Sequence, residues 1–111
     1  MKWSAADVRH MRRAVRLAEK GSFLVSPNPM VGCVIVKNGR VVAEGAHMKY
    51  GGAHAEIAAL QKTKTSVRGA TWYVSLEPCV HFGKTPPCVD AIIAARPARV
   101  VIATPDKNPR V

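Results

Sequence analysis

Hydrophobic and polar positions alternate along this chain in seven blocks. From Ser4 to Lys20 apolar residues recur at Val8, Met11, Val15 and Ala18, spacings of three and four that predict an amphipathic helix. Arg9, Arg12, Arg13, Arg16 and Lys20 fall on the opposite face. Ser4 can cap this helix, Asp7 stands three residues on, and Gly21 follows its end. Val31 to Lys37 predicts a strand, Asn38-Gly39 a two-residue hairpin turn, and Arg40 to Ala46 the returning strand. A second helix is expected from His54 to Lys62, with Ile57, Ala58 and Leu60 as its apolar side. Ala70 to Leu76 is rich in strong strand formers. Cys88 opens a short helix whose buried stripe is expected to be Val89, Ile92 and Ile93, and Arg96-Pro97 ends it. Arg99 to Ala103 predicts a last strand. The order α-β-β-α-β-α-β implies an α/β domain with a mixed sheet. Its first two strands form an antiparallel hairpin, its later strands run parallel, and helices cover both faces.

At 111 residues the chain holds one core, so residues 1–111 are expected to be a single domain. No run approaches the ~20 apolar residues of a membrane span. The N-terminus has no apolar stretch of signal-peptide type, which places the protein in the cytoplasm. Three cysteines are an odd count, and in a reducing compartment they point to metal binding or catalysis rather than disulfides. The 17 Lys and Arg against 7 Asp and Glu give a net charge of +10. That suits a nucleic acid or a small phosphorylated substrate. No aromatic residues interleave with the arginines of the first helix to stack bases, so a solvated basic face is the simpler reading and nucleic acid is disfavoured.

The chemistry concentrates in His54-Ala55-Glu56, Glu77-Pro78-Cys79 and Cys88. One histidine and two cysteines supply three zinc ligands and leave the fourth position for water. Glu56 suits a proton shuttle beside the metal, which would make the site hydrolytic. His54 and Glu56 are two residues apart and share no face in mid-helix, so both must lie in the first turn. Cys88 at a helix N-terminus gains thiolate character from the helix dipole. The competing readings are no metal at all, or a structural zinc site closed by His81 or His47, though such a site has no need of Glu56. Cys33 lies in an apolar run without ligand-like neighbours and reads as a small buried hydrophobe. Asn28, between Pro27 and Pro29, offers an amide that both donates and accepts. If the attacked carbon carries an exocyclic amine, the outcome is hydrolytic deamination; the alternatives to a small phosphorylated aminopyrimidine as substrate are another nucleotide or nucleic-acid deaminase, and a non-catalytic zinc-binding fragment.

These motifs resemble a known family. His54-Ala55-Glu56, Glu77-Pro78-Cys79, His81, Gly83, Lys84 and Thr85-Pro86-Pro87-Cys88 are similar to the deaminase domain of the riboflavin-biosynthesis deaminase/reductase. The likeness extends through Ser26-Pro27-Asn28-Pro29-Met30-Val31-Gly32, Gly51-Gly52, Val89-Asp90-Ala91-Ile92 and Asp106-x-Asn108-Pro109-x-Val111. Eight residues separate the cysteines, where cytidine, deoxycytidylate and tRNA-adenosine deaminases have a short spacing. The resemblance implies a cytidine deaminase-like three-layer α/β/α sandwich. It implies deamination of 2,5-diamino-6-ribosylamino-4(3H)-pyrimidinone 5′-phosphate to 5-amino-6-ribosylamino-2,4(1H,3H)-pyrimidinedione 5′-phosphate plus ammonia. It puts zinc (Zn2+) on His54, Cys79 and Cys88, the proton shuttle on Glu56, and substrate contacts on Asn28, His47, Ala55, His81, Lys84, Asp106 and Asn108. The surplus between the cysteines, Val80 to Pro87, then reads as the substrate-selecting element. Lys107 stands where the family usually has proline, and Ala53 where proline or another residue is common. Family members usually continue with a glycine-rich turn, a helix and a strand, and many add an NADPH-dependent reductase domain. The chain is expected to be the deaminase domain without these, C-terminally truncated relative to the family, with a fused or separate reductase as partner and a homo-oligomeric state.

Overall fold

The first helix, α1, spans Ala5–Glu19 and starts as the sequence predicts. Asp7 N–H donates to Ser4 Oγ at 3.0 Å, and Ser4 N–H donates to Asp7 Oδ2 at 3.2 Å, a reciprocal cap that satisfies two otherwise unpaired donors. The structure, a computed structural model, describes residues 3–19, 31–46, 54–63, 66–75 and 88–103, without the side chains of Cys88 and Val89. Its remaining elements are β1 (Gly32–Lys37), β2 (Arg40–Ala46), α2 (Ala55–Gln61), β3 (Thr71–Val74), α3 (Cys88–Ala95) and β4 (Arg99–Ile102). The order of elements matches the expected one, with ends shifted by a residue or two.

The four strands lie in the order β2-β1-β3-β4. β1 pairs antiparallel with both β2 and β3, while β3 and β4 are parallel, joined through α3. Asn38 (φ 53°) and Gly39 (φ 76°) both take left-handed backbone, the turn that matches the twist of a two-residue hairpin. Ile35 pairs with Ala43 and Val36 with Val41, so Val42 is an extra residue bulging from β2. Arg96, also left-handed at φ 54°, closes α3 ahead of Pro97, and its carbonyl accepts from Gly69 N–H at 2.9 Å.

Strand alternation sorts the core into two layers. Val34, Val36 and Tyr73 pack with Ala14 and Leu17 of α1. Cys33, Ile35, Trp72 and Val74 face the other way, onto Ala55, Ala59 and Ile92 of α2 and α3. The result is the expected three-layer sandwich with a mixed sheet. No helix among the described residues is long and apolar enough to cross a membrane.

Three helix faces differ from the expected stripes. In α1 the buried residues are Asp7, His10, Ala14, Leu17 and Ala18. Val8 and Val15 are 40% and 42% exposed and Met11 is only half-buried. The helix is turned by one residue because its polar positions have partners inside. Asp7 accepts from Tyr73 OH at 2.6 Å and from Arg99 at 3.2 and 3.3 Å, and the His10 ring lies against Tyr73 with centroids 5.2 Å apart. Arg13 remains on the outside and pairs with Glu44. In α2 the buried residues are Ala55, Glu56 and Ala59, while Ile57, Ala58 and Leu60 are half-buried. Gly45 of β2 explains the choice. A Cβ there would lie 2.5 Å from Ala59 N and 2.6 Å from Ala55 O, so α2 sits backbone-close to the sheet and only alanine fits between. In α3 Ile92 is buried but Ile93 is 67% exposed, since two consecutive helical residues point about 100° apart.

Candidate active site

α2 begins at a histidine whose side chain does not cap it. His54 occupies the N-cap position with extended backbone (φ −68°, ψ 161°), and its carbonyl accepts from Ala58 N–H at 2.8 Å. Its imidazole makes no capping bond to the helix. Two residues on, Glu56 lies in the first turn, as the spacing requires. Ala55 between them is fully buried, its carbonyl against Gly45.

Glu56 is the chemically distinctive group of the described residues. It is 3% exposed, and burial lifts its carboxyl from the ordinary value to about 7. A hydrogen bond involving its own main chain pulls the other way, as does the helix N-terminus, but desolvation wins. A carboxyl balanced near neutrality exchanges a proton in either direction with little free-energy cost. Cys33 of β1 forms part of the same buried surround. Its thiol is pushed well up, first by burial and then by the charge of Glu56. Cys33 therefore stays protonated, a neutral wall rather than a ligand.

Cys88 is the first residue of α3, the dipole-favoured position expected for a thiolate, and α3 packs beside α2. Its side chain lies outside the described residues, as do Cys79, Asn28, His47, His81, Lys84, Asp106 and Asn108. Of the expected site residues, His54, Ala55 and Glu56 are brought together. Among the described residues no three His, Cys, Asp or Glu side chains cluster as a metal site, two of the three expected ligands having thiols outside them. The donor set itself, one imidazole and two thiols with a buried acid two residues from the imidazole, fits zinc with an open position. Gly45 and Cys33 were not named from the sequence as builders of this site. The legible signal was a glycine inside a strand pattern, which marks a close backbone approach. A separate groove of about 580 Å³ runs along Val8, Met11, Val15 and Val101, across the sheet from Glu56.

Residues 4–104 match the profile of the cytidine and deoxycytidylate deaminase zinc-binding region. The chain is 54% identical over 105 residues to the riboflavin biosynthesis protein RibD of Escherichia coli, covering 95% of this chain and 29% of that protein. It is 54% identical to the diaminohydroxyphosphoribosylamino-pyrimidine deaminase of Buchnera aphidicola subsp. Schizaphis graminum, covering 95% of this chain and 71% of that one. Among solved structures, the diaminohydroxyphosphoribosylaminopyrimidine deaminase/5-amino-6-(5-phosphoribosylamino)uracil reductase of Thermotoga maritima superposes with a TM-score of 0.91. It is 50% identical, over 95% of this chain and 31% of the Thermotoga chain. The chain thus spans less than a third of the Escherichia coli and Thermotoga proteins and over two thirds of the Buchnera one. A buried acid behind an N-cap histidine, a mixed four-stranded sheet between helices, and these identities agree: the chain belongs to the cytidine and deoxycytidylate deaminase family, among its diaminohydroxyphosphoribosylaminopyrimidine deaminases.

Proposed function

We propose that the chain carries out zinc-dependent hydrolytic deamination of 2,5-diamino-6-ribosylamino-4(3H)-pyrimidinone 5′-phosphate, releasing ammonia. The observation that carries this reading is Glu56, a buried carboxyl in the first turn of α2, two residues past an N-cap histidine. His54, Cys79 and Cys88 would hold the metal. Zinc, when bound, supplies activation of the hydrolytic water at neutral pH.

Glu56 does the proton work. Its carboxylate takes one proton from the water and gives it to the ring nitrogen, then takes the second from the newly added hydroxyl and gives it to the amine, so that the C–N bond breaks, ammonia leaves and a carbonyl remains. Both halves of that cycle are easiest for a carboxyl raised above its ordinary range, the direction in which burial among Cys33, Ala55 and Ala59 moves Glu56. Asn28 reads the polar edge of the pyrimidinone, with His47, Ala55, Asp106 and Asn108 as further contacts. His81 and Lys84, between the cysteines, meet the phosphate or the ring's polar groups. A reductase using NADPH, fused or separate, would take the product onward, as the two-activity name of the Thermotoga protein suggests. The cytoplasm is the proposed compartment and a homo-oligomer the proposed state.

The test is Glu56→Gln. It should keep about one zinc per chain and lose roughly 100- to 10,000-fold in ammonia release from the phosphorylated diaminopyrimidinone, the usual worth of a general acid–base group. A Glu56→Gln protein that turns over normally would overturn the mechanism.

A further inference from the structure

β1 and β3 end their pairing in an unusual way. Their register runs Val36 with Thr71, Ile35 with Trp72, Val34 with Tyr73 and Cys33 with Val74. The next pair in that register is Gly32 with Ser75. In an antiparallel ladder such a pair exchanges two main-chain bonds. Here one is made, from Ser75 N–H to Gly32 O at 3.0 Å. The other is not main chain: Gly32 N–H donates to Ser75 Oγ at 2.9 Å. The serine hydroxyl stands in for its own carbonyl. Side chains of this type compete with the ladder and let a strand stop without leaving a buried donor unpaired. The chain bends at Ser75, where β3 has ended.

Both partners of this bond lead to expected site residues. Cys79 follows Ser75 by four residues, and Asn28 precedes Gly32 by four. Gly32 has no freedom to compensate, because its Cα faces the Ala14 carbonyl of α1 with no space for even one added carbon. The hydroxyl of Ser75 is thus the point where the segment bearing a metal-ligand thiol and the segment bearing a substrate-reading amide are tied to the same sheet end. We infer that Ser75 is a positioning residue for the deaminase site, setting the departure of the chain toward Cys79 against the arrival of the chain from Asn28. This rests on the deaminase reading of the site.

The experiment compares Ser75→Thr with Ser75→Val, nearly equal in shape and differing in the hydroxyl, on the full chain. Three readouts are taken: zinc retention against a chromogenic chelator, the visible absorption of the cobalt(II)-loaded protein, and KM with kcat. Ser75→Val should hold zinc up to roughly 10-fold more weakly, the low end of what is lost when a bond made directly to a metal ligand is removed. It should also show an altered cobalt thiolate spectrum, while Ser75→Thr stays close to wild type in both. Hydrogen exchange at the Gly32 amide should quicken in Ser75→Val alone. Wild-type zinc affinity and cobalt spectrum in Ser75→Val would overturn the inference, and so would equal losses in both variants. Wild-type zinc stoichiometry and ammonia release, measured first, test the deaminase reading separately. The metal readouts decide the role of Ser75 even for a chain without turnover.

Discussion

Replacing Gly45 by alanine adds one carbon at the closest approach of α2 to the sheet. That carbon would lie 2.5 Å from Ala59 N, 2.6 Å from Ala55 O and 3.0 Å from Ala58 C. All three are main-chain atoms, so no rotamer change relieves the contact. Non-bonded carbons settle at about 3.5 Å or more, which requires α2 to retreat by roughly 1 Å. Two effects of opposite sign then compete. Alanine restricts the unfolded chain more than glycine does and by itself would stabilise by ~0.4–1 kcal/mol. Overpacking costs ~1–3 kcal/mol. Packing wins, leaving a net loss of about 1–2 kcal/mol. In a domain of this size that lowers the melting temperature by roughly 4–16 °C. His54 and Glu56 sit on the first turn of the displaced helix, and a shift of ~1 Å in a reacting group can cost about 100-fold in rate. The assay is a thermal melt paired with zinc stoichiometry and ammonia release. Gly39→Ala is the control: Gly39 is left-handed at φ 76° with nothing near its Cβ position, so it should lose some stability and no turnover in the surviving folded protein. A Gly45→Ala melting temperature at or above wild type would refute the close-packing account.

The rotation of α1 is tested by Leu17→Ala against Val15→Ala. Leu17 is buried, so its truncation should cost ~2–5 kcal/mol in urea denaturation, and Val15, exposed, should lie within about 0.5 kcal/mol of wild type. Equal costs would restore the stripe expected from the sequence. Asp7 predicts a pH dependence. Hydrogen bonds from Tyr73, then from Arg99, hold its carboxyl well below the usual carboxylate range, so the folded chain binds this proton less readily than the unfolded chain. The resulting stability is complete above the unfolded value near ~4 and drains as pH falls through it toward the folded value. Asp7→Asn should therefore be less stable than wild type at pH 7, with the gap narrowing on acidification. A gap that is constant from pH 7 down to 2.5 would remove Asp7 as its source.

What was legible in the sequence was what local rules decide. Ser4 and Asp7 cap α1 as their spacing requires, Asn38-Gly39 makes its turn, and Arg96-Pro97 stops α3. His54 and Glu56 were confined to the start of a helix by geometry alone, and they lie at its N-cap and in its first turn. The misread faces depend on partners distant in the chain. Asp7 turns inward because Tyr73 and Arg99, 66 and 92 residues away, receive it, and a hydropathy stripe counts such an acid as outward. Ile57 and Leu60 outrank Ala55 and Ala59 in hydrophobicity, yet the alanines occupy the contact because Gly45 brings the backbones together. In the site the residue types were readable, but the proton affinity of Glu56 was not. It arises from the burial that the fold supplies around an otherwise ordinary carboxyl.

Gly32 and Gly45 stand in neighbouring cross-strand pairs at one end of the β1–β2 hairpin, one facing α1 and the other α2. At that end the three layers meet backbone to backbone, with no side chain between them to bend or repack. Side-chain contacts elsewhere act as springs, since rotamers can shift to absorb a small displacement. Here there is none to shift. A push on α1 at Ala14 is handed through the sheet to Ala55 and so to the turn that carries His54 and Glu56, while at the far tip nothing lies within 4 Å of the Gly39 Cβ position. The hairpin is close-packed at one end and open at the other, and the buried carboxyl of Glu56 stands at the close-packed end.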